Sequence, residues 1–120
     1  MSFGEFSNIG VGQIKIVREK FKGLFLRIYP TLHNFPREET LGMVLKLKGL
    51  FIDGILLLSQ AEQLPSKRVF NLKQFLATLN TIKILLELSS QLEFISTGFF
   101  LDCSGMMTDI DRLTTNVLRN

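Results

Sequence analysis

The chain has one histidine, one cysteine and a scatter of lysines and arginines with which to do chemistry. His33 follows Arg27 in the stretch RIYPTLH. This is the one fragment of the chain that merits an enzymatic reading. Pro30 lies inside that interval, and the pair straddles the end of a helix, so it is not expected to keep one geometry. Cys103 falls on an apolar helical stripe and reads as a small buried side chain rather than a nucleophile. No metal-ligand spacing, Gly-rich phosphate loop or nucleophile elbow occurs. The expectation is a non-enzymatic protein with no metal and no cofactor.

Binding chemistry is better represented. Lys15, Arg18 and Lys22 form a basic strip beside the apolar face of a first helix. Lys83 sits within an apolar stripe, between Leu79 and Leu86, and Lys48 is placed likewise in another. A buried ammonium is costly, so each must reach water, find a carboxylate, or line a solvated channel or interface. Arg112 and Arg119 are seven residues apart on the outward face of a last helix, among Asp102, Asp109 and Asp111. The formal charge of +3, from 14 basic and 11 acidic residues, permits an anionic partner without demanding one. Lys83, Arg112, Arg119, Lys15, Arg18 and Lys22 are therefore candidate phosphate contacts, stronger if an oligomer repeats them.

Helices must position these groups. Residues 1–12 carry three glycines and no helical stripe, and read as a flexible arm ahead of a domain spanning 13–120. Val17, Phe21, Leu24, Phe25, Ile28 and Leu32 share one side of a helix over about residues 12–32. HNFP makes a turn, and Pro36 with Glu38 and Glu39 suits the start of a second helix over about 36–63. Pro65 and Ser66 break it. A third helix spans about 66–92, with Leu72, Phe75, Leu76, Leu79, Ile82 and Leu86 on one face. Ser96 is placed to cap a fourth, whose stripe is Phe99, Cys103, Met106, Ile110, Leu113 and Val117. The expected fold is all-α, an up-down-up-down four-helix bundle.

The second helix carries two apolar lines. Leu41, Val44, Leu45, Phe51, Ile52 and Ile55 form a broad stripe expected to face the core. Met43, Leu47, Leu50, Gly54 and Leu57 recur at four, three, four and three, the seam of a helix packed on a helix. That second line predicts an oligomer interface. A single cysteine points to a reducing cytoplasm. The N-terminal twenty residues have no signal-peptide pattern, and recurring charges leave no membrane span.

The stretch LFLRIYPTLHNFPREETLG, then a long helix reaching SQAEQL, then LNTIKILLELSSQLEFIS and DIDRLTTNVLRN, carry a family likeness. Over about residues 25–120 the chain resembles the accessory variability proteins (Avd) of bacterial diversity-generating retroelements. Four-helix-bundle proteins encoded in intervening sequences of 23S rRNA genes share the fold and the turn. They usually carry a stretch of the SIPANIAEG kind where this chain has GILLLSQAEQ. The Arg27 to His33 spacing is also similar to that of the HEPN ribonucleases. The Avd resemblance implies a barrel-shaped homopentamer that binds a reverse transcriptase and its template RNA, or DNA, without strong sequence preference. It would support mutagenic reverse transcription without catalysing it. The family's basic positions in the third and fourth helices fall on Lys83 and Arg112. A second third-helix arginine is Glu87 here, and a C-terminal tryptophan is Val117. The alternative is an rRNA intervening-sequence protein with a structural or RNA-associated role and no polymerase partner.

Overall fold

Ile14, Val17, Phe21, Leu24 and Ile28 recur every three or four positions, and all five are buried along helix α1 (Val11–Ile28). They belong to a computed structural model that describes residues 10–120; most of the expected N-terminal arm lies outside the described residues. Gly10, with φ of 91°, leads directly into α1, so the helix begins within the stretch expected to be loose. After Ile28 the chain tightens into a 3-10 turn, Tyr29–Asn34, with Pro30 in its first turn.

The expected second helix is in fact three pieces. Arg37–Glu39 is a 3-10 turn, and Thr40–Val44 is a π turn in which Gly42 leaves helical geometry (φ −103°, ψ −107°). The Glu39 carboxylate accepts from the Met43 amide at 3.2 Å, satisfying an otherwise free N–H. Helix α2 (Leu45–Gln63) then runs unbroken. Its last-turn carbonyls receive Arg68, which donates to Ala61 at 2.8 Å and to Glu62 at 3.4 Å. A short turn at Pro65–Lys67 leads into α3 (Arg68–Gln91).

Helix α3 ends in a Schellman arrangement: Phe94 N–H donates to Ser89 and Glu93 N–H to Ser90. Glu93 holds the left-handed position, with φ of 64°, where glycine is more usual. Ser96 caps α4 (Thr97–Arg119), its hydroxyl accepting from Phe99 N–H at 3.1 Å, as expected from sequence.

Neighbouring helices pack in sequence order and α4 closes on α1. Arg27 near the end of α1 pairs with Asp102 near the start of α4, and Lys20, earlier in α1, pairs with Asp109, further along α4, so these two helices run antiparallel. Arg18 of α1 likewise reaches Glu62 at the end of α2, and short turns reverse the chain between successive helices. The result is a four-helix bundle about 55 Å long. No described helix is long and apolar enough to cross a membrane.

Phe21 lies at its centre, with its ring 5.1 Å from Phe51 and 4.9 Å, edge-on, from Phe75. It faces Gly54. A Cβ there would lie 2.6 Å from two atoms of the Phe21 ring and 3.4 Å from Phe75. One of the two glycines of α2 thus lies where the helix meets the central ring.

This reverses the expected faces of α2. Leu47, Phe51, Gly54, Leu58 and Ala61 are buried, and Met43, Leu50 and Leu57 are half-buried and packed against the same core. Leu47 and Gly54, expected in an oligomer interface, are core residues of the single chain. The residues expected inside are outside: Leu41 is 83% exposed, Leu45 55% and Ile52 53%. Only Val44 and Phe51 of that stripe are buried, with Ile55 partly so. Three polar side chains enter the core. Ser89 and Thr114 return hydrogen bonds to Leu85 and Ile110 carbonyls, while the Asn71 amide nitrogen has no partner.

Candidate nucleic-acid and partner surfaces

The six candidate cations fall into three places. Lys83 and Arg112, far apart in sequence, come together along one groove between α3 and α4, with Asn80, Thr108 and Asp111 beside them. Lys83 is half-buried, at the border of its apolar stripe rather than within it. It makes no ion pair with any described residue. Arg112 is exposed and donates to Asp109, which Lys20 of α1 also approaches at 3.2 Å. The Arg112 guanidinium, and then Lys20, hold the Asp109 carboxyl below its ordinary range.

Lys15, Arg18 and Lys22 share a side of α1, but two of them are engaged. Arg18 is half-buried against Glu62, and Lys22 pairs with Glu19 at 3.3 Å. Lys22 first, and Arg18 after it, lower the Glu19 carboxyl. Arg119 lines a separate groove between the start of α1 and the end of α4, with Gln13, Ile16 and Asn116. The structure therefore unites Lys83 with Arg112 and leaves the α1 strip and Arg119 apart from them.

Arg27 and His33 are also separated. Arg27 faces α4, donating to Asp102 at 3.2 Å and lying 5.7 Å from the centre of the Phe99 ring. His33 opens toward α2, into a groove shared with Tyr29, Arg37, Thr40 and Lys48. Sequence reasoning noted Lys48 as an oddity on an apolar stripe. It missed this groove, whose residues are gathered by the turn after α1 rather than by any periodic pattern. Cys103 is buried, and loss of solvent pushes its thiol above the ordinary range. Among the described residues no group of three His, Cys, Asp or Glu could hold a metal ion.

Apolar residues remain outside. On α2, Leu45, Ile52 and Leu56 repeat at seven and four with Leu41 ahead of them. On α3, Phe70, Ile84 and Leu88 lie on the side opposite Leu72, Phe75 and Leu79. Helix α3 is thus apolar on two sides, as is α2. Comparison with protein-family models, curated proteins and solved structures finds no match to this chain.

Proposed function

We propose that the chain is a cytoplasmic, non-enzymatic accessory subunit that assembles with copies of itself and binds a reverse transcriptase and RNA. The resemblance to Avd supplies the partners and the pentameric state. The observation that carries the reading is the outward apolar face of α2 and α3. Leu41, Leu45, Ile52 and Leu56 on one helix and Phe70, Ile84 and Leu88 on the next would remain wet on a lone bundle. Burying large apolar side chains of this kind contributes roughly 1.5–3 kcal/mol each before association costs. A second copy of the same chain suits these faces, whose apolar residues are flanked by charges of both signs, Lys46 and Asp53 on α2 and Lys73 and Glu87 on α3. The interface residues are then this outward set, in place of Leu47 and Gly54.

The groove holding Lys83 and Arg112 supports the nucleic-acid part, since two cations converge on one channel and one of them has no carboxylate partner. Lys83→Glu with Arg112→Glu tests it. RNA or polymerase binding weakens while the oligomer keeps its mass. Unchanged binding by both variants would remove these residues from the site. Failure to co-purify with a reverse transcriptase of the same operon would favour an RNA-associated bundle without a polymerase.

A further inference from the structure

The groove at the α1–α2 corner has a composition that the preceding reading does not use. Its floor is apolar, made by Leu32, Phe35 and Val44, each buried. Its rim carries Tyr29, His33, Arg37, Thr40 and Lys48, and its volume of about 390 Å³ falls within the range of small-molecule pockets. No carboxylate lines it. Glu38 and Glu39 precede Thr40 but stay outside, and Glu39 is engaged by the Met43 amide.

His33, Arg37 and Lys48 make no ion pair with any described residue. Lys15, Lys46, Lys73, Lys83 and Arg119 also lack an ion pair among the described residues, so what sets this corner apart is that Arg37, Lys48 and His33 share one concavity with an aromatic ring. Here Arg37 and Lys48 line one concavity with His33 and no carboxylate, and the positive potential of the two cations favours an anion entering. Lys48 is half-buried with its Nζ 5.0 Å from the centre of the Tyr29 ring. A phosphate oxygen carries full charge and would compete with the ring for that ammonium, so stacking on this face requires Lys48 to turn toward the phosphate. Tyr29 is 45% exposed, yet Phe25 holds it edge-on at 5.6 Å. A fixed, half-open aromatic beside phosphate-binding groups is the pattern of a single-strand platform.

We propose that this corner binds one nucleotide unit of a single-stranded nucleic acid. The base stacks on Tyr29, and the phosphate is held by Lys48, Arg37 and His33 with the Thr40 hydroxyl. The site is separate from the Lys83 and Arg112 groove and does not require a polymerase partner.

Tyr29 is the only tyrosine and the chain has no tryptophan, so intrinsic emission reports on this ring alone. The experiment titrates the full chain with a short fluorescein-labelled oligouridylate, following anisotropy, and with the unlabelled strand, following tyrosine emission. Emission is expected to quench and saturate together with anisotropy. Tyr29→Leu, which keeps an apolar side chain, is expected to weaken binding by about 5- to 150-fold, the effect of losing one stacked base. Lys48→Gln is expected to lower the slope of log affinity against log salt by about one. Lys46→Gln removes the same charge from another side of α2 and leaves the quenching intact. Circular dichroism and urea midpoints confirm that each variant is folded. Unchanged emission at saturating strand, or parental affinity in both Tyr29→Leu and Lys48→Gln, would overturn the proposal. Parental quenching in Lys83→Glu with Arg112→Glu is expected of a separate site, and loss of the quenching there would overturn that separation.

Discussion

Gly54→Ala is the sharpest probe of the packing. The added methyl would sit 2.6 Å from Cε2 and Cζ of Phe21, where real contacts are nearer 3.5–4 Å. Phe21 cannot simply turn away, because Phe51 and Phe75 flank its ring at 5.1 and 4.9 Å. Helices α1 and α2 must separate or Phe21 must leave its rotamer, at a cost of about 1–3 kcal/mol for overpacking. Alanine's better helix propensity returns about 1 kcal/mol. Gly49 lies on the same helix, and a Cβ there meets nothing within 4 Å. Gly49→Ala therefore isolates the propensity gain, and the two variants should differ by about 1–3 kcal/mol in urea unfolding. Phe21→Leu in the Gly54→Ala background should recover part of the loss. Equal stability of the two alanine variants would refute the placement of Phe21 against Gly54. A loss that vanished on raising protein concentration would instead return Gly54 to an interface between copies.

Other substitutions test separate features. Glu93→Gly relieves a left-handed backbone position and should raise stability by about 0.5–1 kcal/mol in the same assay, after glycine's greater freedom in the unfolded chain is counted. Asn71→Leu replaces a buried amide whose nitrogen lacks a partner, and should stabilise by about 1 kcal/mol or more. Cys103 should resist thiol reagents in the native state and react in denaturant. Because its folded pKa is raised, its contribution to stability is full below the unfolded value of about 8.5 and declines above it. The decline continues, at about 1.4 kcal/mol per pH unit, until pH passes the folded value. Stability of Cys103→Ala should lack that decline above about pH 8.5.

Much of the bundle was legible because its signals are local. Proline spacing, the Ser96 cap and the three-four recurrence in α1 each act within a few residues, and the helices follow them. The orientation of α2 was not legible. A wheel weights large side chains inward, but Leu, Ile and Phe surround this helix on most sides, and the deciding contact is the space Phe21 needs at Gly54. The four-three recurrence through Leu47 and Gly54 did mark a close-packed face, but that the partner is Phe21 of the same chain and not another copy is a tertiary fact that the spacing does not carry. The π turn at Thr40–Val44 further shifts the register of Leu41 and Met43 against the helix that follows. Lys83 and Arg112 could be named singly from their positions on helices, but their meeting depends on the pairing of α3 with α4. The Tyr29 groove arises from a turn, where periodicity carries no information.

The outward faces of α2 and α3 make self-association the claim on which the functional reading rests. Size-exclusion chromatography with light scattering at moderate salt tests it directly, on the parent chain and on Ile52→Glu with Leu56→Glu. The parent should elute as a defined multiple of the 13.7 kDa chain, near five copies, and the charged variant should fall to one folded copy. A parent that remains a monomer at 13.7 kDa across concentration would contradict it.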